Sequence, residues 1–315
     1  MTNSVTIASD QLEAAIKQEK LPGSYMDIVD NYIAPTADAI ANRYEKVEST
    51  LVVGINGAQG SGKSTFSHFL KLTLEQKFRL NVVNLSIDDF YLTKAERVAL
   101  SNAVHPLFNT RGVPGTHDVA LAVSLIRAFK AGDNNHRETI PRFAKHLDDR
   151  LPRSDWEIVS GKVDIILFEG WCVGATPQSE QELSEPLNEL EEKEDLGGFW
   201  RRYSNLKLAG EYKILFELLD TLIMLKVPSF ESVYKWRAQQ ELKLTTLLEE
   251  QQAEMEEVTI MKKRELMRFI QHYERLTRHM LKLLPNRADL VLNLNNKHEI
   301  IHADVNNNEM FAEFL

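Results

Sequence analysis

The sequence predicts an α/β fold: a parallel sheet with helices on both faces. Three observations predict it. Short apolar runs alternate with longer stretches of helical periodicity. One run, Leu51-Val52-Val53-Gly54-Ile55, leads into Gly57-Ala58-Gln59-Gly60-Ser61-Gly62-Lys63-Ser64, a complete phosphate-binding loop G-x-x-x-x-G-K-[ST]. Two further runs end on carboxylates, Asp88-Asp89 and Glu169, and a parallel sheet gathers such strand ends along one ligand-binding edge.

The elements follow in order. Residues 1–48 carry no strand signal and read as an N-terminal helical extension, broken at Leu21-Pro22-Gly23 and Ala34-Pro35. Residues 49–315 read as one domain. Its first strand, phosphate loop and helix occupy 51–78, with Phe66, Phe69, Leu70 and Leu74 at helical spacing. A second strand runs from Asn81 to Ile87. Residues 92–103 look helical, His105 to Asp118 is rich in turn residues, and a helix follows over 118–130. A basic loop surrounds Pro141-Arg142-Phe143-Ala144-Lys145-His146. The strand Val163 to Phe168 comes next. Residues 176–195 are dominated by Glu and read as a solvated acidic insertion. Helix returns at about 199–219, then a strand from Thr221 to Val227, stopped by Pro228. A lid-like amphipathic helical region extends from about 230 to 284, and the last strand is Ala288 to Leu294.

Composition bounds the function. The 315 residues are 43% hydrophobic and 26% charged, as in ordinary globular chains. A net charge of −9 gives no general pull toward nucleic acid. Cys172 is the only cysteine, so no internal disulfide can form and a reducing cytoplasm is the expected setting. The start, Met-Thr-Asn-Ser-Val-Thr-Ile-Ala-Ser-Asp, lacks the basic residues and apolar core of a signal peptide. No apolar run reaches the roughly 20 residues that span a bilayer, so no membrane partner is expected.

The phosphate loop fixes the ligand class as nucleoside triphosphate with Mg²⁺. Backbone N–H groups and the helix N-terminus face the anion, Lys63 reaches the β- and γ-phosphates, and Ser64 ligates the metal. Glu169 closes an apolar strand as a Walker B carboxylate does, holding Mg²⁺ directly or through water; the alternative is a cap on the next turn. Asp88 is the candidate general base, or else only a helix cap. Arg111, Arg142, Lys145 and Arg150 lie in loops near the same rim and suit an anionic acceptor, though each alone can be a surface charge. Arg237 can close over the triphosphate or sit on a solvated helix. The nine histidines show no metal-ligand spacing; His68, His272 and His279 read as structural, while His117 and His146 lie beside the rim. Cys172 reads as a packed thiol.

Six segments in this order carry a resemblance: Gly57–Ser64, Ser86-Ile87-Asp88-Asp89-Phe90-Tyr91, Arg111–Asp118, Pro141–Arg150, Phe168-Glu169-Gly170-Trp171 and Tyr234-Lys235-Trp236-Arg237. Together they resemble the plant-type D-glycerate 3-kinase group of P-loop kinases, related to phosphoribulokinase, uridine kinase and pantothenate kinase. The resemblance runs from about 51 to 245 and more weakly through 290. It implies a three-layer P-loop kinase fold, ATP and Mg²⁺ as cofactors, and phosphoryl transfer to a hydroxyl of a small acid, D-glycerate at O3. It implies Asp88 as the acceptor-side base and Glu169 as the Mg²⁺ partner. The expected site is then Asp88 and Lys63 for catalysis, Gly57 to Ser64 with Thr65 and Arg237 for nucleotide, and Ser64 and Glu169 for metal. Asp89, Tyr91, Arg111, His117, Arg142 and Lys145 stand on the acceptor side. One departure falls there: Ala144 occupies the place where relatives usually carry Asp before the lysine matching Lys145. Two rival readings stand beside this one. The acceptor can instead be a nucleoside or pantothenate. Or the chain can be a nucleotide-gated binding protein, since Asn296-Lys297-His298-Glu299 is a weak match to the guanine-reading Asn-Lys-x-Asp.

Overall fold

The computed structural model describes residues 9–237, 263–306 and 310–311. The strands are β1 (Leu51–Gly57), β2 (Val82–Ser86), β3 (Arg137–Ile140), β4 (Phe143–Ala144), β5 (Asp149–Arg150), β6 (Glu157–Ser160), β7 (Ile165–Gly170), β8 (Thr221–Lys226), β9 (Leu290–Leu294) and β10 (Ile300–Val305). Six of them form one sheet in the order β10-β9-β8-β1-β7-β2. All its pairs are parallel except the β9–β10 edge.

Side chains that alternate along each strand bury on opposite faces. Val53, Ile55, Leu167, Ile223, Leu225 and Leu292 join one core. Val52, Ile166, Phe168, Met224 and Val291 join the other. Helix Lys63–Phe78 covers the first face; helices Val119–Ala131 and Lys263–Leu283 contribute to the second. This three-layer arrangement makes central strands apolar on both sides, and β1 is buried along its whole length.

The N-terminal helices are part of the first core. Leu12, Ile16, Val29, Ile33 and Ile40 pack into it. The chain turns at Leu21-Pro22-Gly23 as expected, but no break occurs at Ala34-Pro35. A π-turn, Val29–Ile33, runs on into helix Ala34–Val47, and the Ala34 N–H reaches back to the Val29 carbonyl. Pro35 lies in the first turn of that helix, where a missing N–H costs little.

The Glu-rich stretch is also not simply solvated. It forms helices Glu180–Leu183 and Glu189–Glu194, with Glu191 and Asp195 fully buried. Arg275 donates to both Glu191 oxygens, Nε at 2.7 Å and Nη2 at 2.5 Å, and Arg201 pairs with Asp195 at 2.9 Å. Buried carboxylates persist when charged partners are this close. Five further strands were not foreseen: β3 and β6, which pair with each other, β4 and β5, which do likewise, and β10. β4 and β5 are two residues each, and β3, β6 and β10 are partly exposed, so they lack an apolar signature. Of the expected helical region from 230, residues 230–237 and Lys263–Leu283 are helical; 238–262 lie outside the described residues. No helix among the described residues is long and apolar enough to cross a membrane.

Candidate active site

The site begins where β1 ends. Gly60 and Gly62 adopt φ of +80° and +84°, which only glycine takes without strain, and they curl the loop so that Lys63 opens the helix. A Cβ on Gly57 would lie 2.4 Å from Ser61 Oγ. The loop is therefore a backbone cradle at a helix N-terminus, suited to phosphate. Gln59 Oε1 and Ser61 Oγ are buried there without partners.

Because β7 lies between β1 and β2, Glu169 sits opposite Ile55 on one side and Ser86 on the other. Ser64 Oγ donates to Glu169 Oε1 at 2.9 Å, and the buried Oε2 has no partner. A hydroxyl and a carboxylate side by side are the hard-oxygen donors that Mg²⁺ takes when phosphates and water complete its shell. Among the described residues no group of three or more His, Cys, Asp or Glu could hold a metal by itself.

Asp88 stands at the end of β2, on a short 3₁₀ turn, Ile87–Phe90, capped by Ser86 Oγ. Burial pushes its carboxyl up, but Lys145, Lys63 and the Lys145 hydrogen bond outweigh burial and hold it below the ordinary range. The Lys145 Nζ–Asp88 Oδ2 distance is 2.8 Å, and the Lys145 side chain is 63% exposed. Lys145 is thus a solvent-facing counter-ion beside Asp88.

Behind Asp88, Tyr91 stacks on His117 with ring centroids 4.3 Å apart. The segments are sewn together by Leu92 N–H to Thr116 O and Asp118 N–H to Phe90 O. Tyr212 Oη accepts the Gly115 N–H at 3.0 Å and lies 2.6 Å from His117 Nδ1. The other ring nitrogen of His117, Nε2, is buried without a partner. Burial lowers His117 to about 4 despite the opposing pull of Asp88, so the ring is neutral. Tyr273 closes the enclosure. It meets Trp171 edge to face at 4.9 Å and donates to the Arg111 carbonyl at 3.2 Å. Its hydroxyl is raised, first by burial and then by Asp88, and lowered by Arg111 and Arg237.

The other expected cations are each paired with a carboxylate. Arg142 donates to Asp89 at 2.9 Å and also pairs with Glu157, while Asp89 accepts the Phe143 N–H. Burial raises the Asp89 carboxyl, and Arg142 and that N–H oppose the rise. This pair fixes the Phe143–Arg150 hairpin on the Asp88 turn. Arg150 is tied to Asp118 and Glu96. Arg111 pairs with Asp148, which also holds the fully buried Arg97, and its guanidinium lies 5.5 Å over Phe143. Ala144 is buried in that hairpin opposite Asp149, and His146 is exposed. Cys172 is buried, which pushes its thiol up.

Trp236, beside Arg237, donates to the Asn296 carbonyl at 3.1 Å and stacks on His298 at 4.0 Å. His298 Nδ1 lies 3.0 Å from the Gly60 carbonyl, so the turn after β9 is tied to the phosphate loop. Sequence reasoning missed Tyr212, Tyr273, Asp148 and this turn's packing. Only the weak Asn-Lys-x-Asp likeness pointed toward the last of these.

The chain as a whole is similar to known proteins. Over 246 residues the chain is 33% identical to the uncharacterized kinase mug58 of Schizosaccharomyces pombe, spanning 76% of this chain and 84% of that protein. It is 30% identical over 199 residues to the chloroplastic D-glycerate 3-kinase of Arabidopsis thaliana, spanning 61% of this chain and 41% of that protein. The solved D-glycerate 3-kinase of Cryptococcus neoformans var. grubii superposes with a TM-score of 0.70 at 25% identity, covering 86% of this chain and 97% of that one. No protein-family model matches the chain.

Proposed function

From the premise that this chain is a kinase belonging to the D-glycerate 3-kinase group of P-loop kinases, we propose that it transfers the γ-phosphoryl group of ATP to a primary hydroxyl of a small hydroxy acid, D-glycerate at O3. The observation that carries this is the placement of Asp88. It is held as a carboxylate at the end of β2, within the field of Lys63, and paired with the exposed Lys145.

The loop N–H groups and Lys63 hold the triphosphate. Ser64 and Glu169 would hold Mg²⁺, which when bound neutralises charge on the phosphates. Asp88 orients the acceptor hydroxyl. As the O3–P bond forms and the P–O bond to ADP breaks, the hydroxyl proton passes to Asp88 late in transfer. A carboxyl held below its usual range is a weak base, so it takes the proton only after the bond to phosphorus is largely formed. Lys145 and Arg111 supply positive charge for the acceptor carboxylate, and the neutral His117 ring turns its unpartnered Nε2 to the acceptor as a polar contact. Arg142 and Asp89 act by placing the hairpin that carries Lys145. Arg237 lies on the nucleotide side.

The cationic lining favours an anionic acceptor over an uncharged nucleoside. The guanine-reading alternative loses support. Asn296 Oδ1 accepts from Ser232, and Glu299, in the place of the guanine-reading Asp, accepts from Asn295 Nδ2 at 2.6 Å, so both ends of the match are engaged within the protein. A single, buried cysteine suits a reducing compartment such as the cytoplasm. The test is phosphorylation of D-glycerate, read as ADP release and 3-phosphoglycerate. Turnover of other hydroxy acids or nucleosides with none on D-glycerate would refute the acceptor assignment.

A further inference from the structure

On the far side of the phosphate loop lies a cavity of about 760 Å³. One wall is the loop itself, through Gly60, Ser61, Gly62 and Thr65. A second is Trp236 and the turn Lys297–Glu299. The third is the N-terminal segment from Leu21 to Tyr32, with Tyr25, Asp27 and Asn31 among the lining residues. Asp88, Lys145, Arg111, His117 and Glu169 do not line it. We infer that the Leu21–Tyr32 segment is a wall of the nucleoside pocket, so that the base and ribose of the nucleotide are held between this segment and the Trp236–His298 stack.

The argument rests on the kinase reading, since it takes the phosphates to lie in the loop. Phosphates gripped there leave the nucleoside to one side or the other. The Asp88 side is the one the acceptor takes on this reading, with Asp88, Lys145 and His117 facing it. The other side opens into a cavity within the roughly 300–1,000 Å³ that ligand pockets occupy. Its lining points to a ligand. Ser61 is 3% exposed, and its Oγ has no partner. The walls are preorganised. Trp236 is fixed by its bond to Asn296 O and by the His298 ring, and His298 is held at φ +66° by the Gly60 carbonyl. Opposite, Tyr25 packs on Phe69 with ring centroids 5.0 Å apart. The N-terminal segment thus faces the nucleotide rather than the acceptor.

Asp27 and Asn31 are exposed residues of this wall, so a larger side chain at either can fill the cavity without disturbing the core. The experiment titrates wild type, Asn31→Trp and Asp27→Trp calorimetrically with two probes, ADP and inorganic tripolyphosphate, after thermal melts confirm folding. Tripolyphosphate fits the loop and carries no nucleoside. Wild type is expected to bind both, and the variants to bind ADP about tenfold or more weakly while keeping tripolyphosphate. Unchanged ADP affinity in both variants would overturn the inference. So would equal loss of both probes in folded protein, because the segment would then act through the loop. Wild type that binds neither probe would instead refute the kinase reading on which the inference stands.

Discussion

Replacing Asp88 with Asn should lower kcat by roughly 10²–10⁴-fold, the range for general acid–base groups, while ATP affinity survives. Steady-state kinetics with a parallel nucleotide titration checks this, and near-normal turnover removes Asp88 from its role. His117 makes a different prediction. Burial lowers it to about 4 from an ordinary 6.5, and buried His272 is likewise lowered to about 4. Both protonate in the unfolded chain first. Stability is therefore full above about pH 6.5 and is lost as pH falls toward 4, by about 3 kcal/mol for each histidine. Urea unfolding at a series of pH values should show this slope, and His117→Gln should remove its share. A pH-independent stability over that window would contradict the neutral assignment. At this scale the sequence shows Lys63, Ser64, Asp88 and Glu169, because each belongs to a motif whose spacing has a physical cause. It hides the pairing of His117 Nδ1 with Tyr212, 95 residues away.

Among the elements, helix Lys263–Leu283 connects scaffold to site. Leu266, Ile270, Tyr273 and Met280 bury its inner face, and the same helix places Tyr273 against Gly112. A Cβ on Gly112, whose φ is +143°, would lie 2.4 Å from the Tyr273 hydroxyl. Arg275 on this helix holds Glu191. Arg275→Met leaves a buried carboxylate without its main charge partner and should cost about 3–5 kcal/mol in urea unfolding. Adding Glu191→Leu should recover most of that loss, and a small cost for the single change would show the pair to be dispensable. The acidic stretch was misread for a related reason. Its composition signals solvation, and the partner that buries Glu191 lies 84 residues further on. The parallel strands were readable because both-sided burial makes them apolar throughout. Strands β3, β6 and β10 are partly exposed, and β4 and β5 are two residues each, so no apolar run marks them.

For the whole molecule, strand order decides what meets what. β7 between β1 and β2 brings Glu169 to Ser64 and sets Asp88 beside the field of Lys63. This convergence follows from alternating strands and helices, so it was readable in advance. The division into an acceptor side and a cavity side depends on the N-terminal helices and on the turn after β9, which no motif marks. Binding couples these parts to stability. ADP at 100 times its Kd should stabilise the fold by about 2.7 kcal/mol, seen as a raised melting temperature that Lys63→Ala abolishes. The most direct measurement is ADP release from ATP and Mg²⁺ with and without D-glycerate, with product analysis. Strong stimulation with 3-phosphoglycerate formed, lost in Asp88→Asn, is the predicted result. ATP hydrolysis that no hydroxy acid stimulates, or stimulation that persists in Asp88→Asn, would contradict the account.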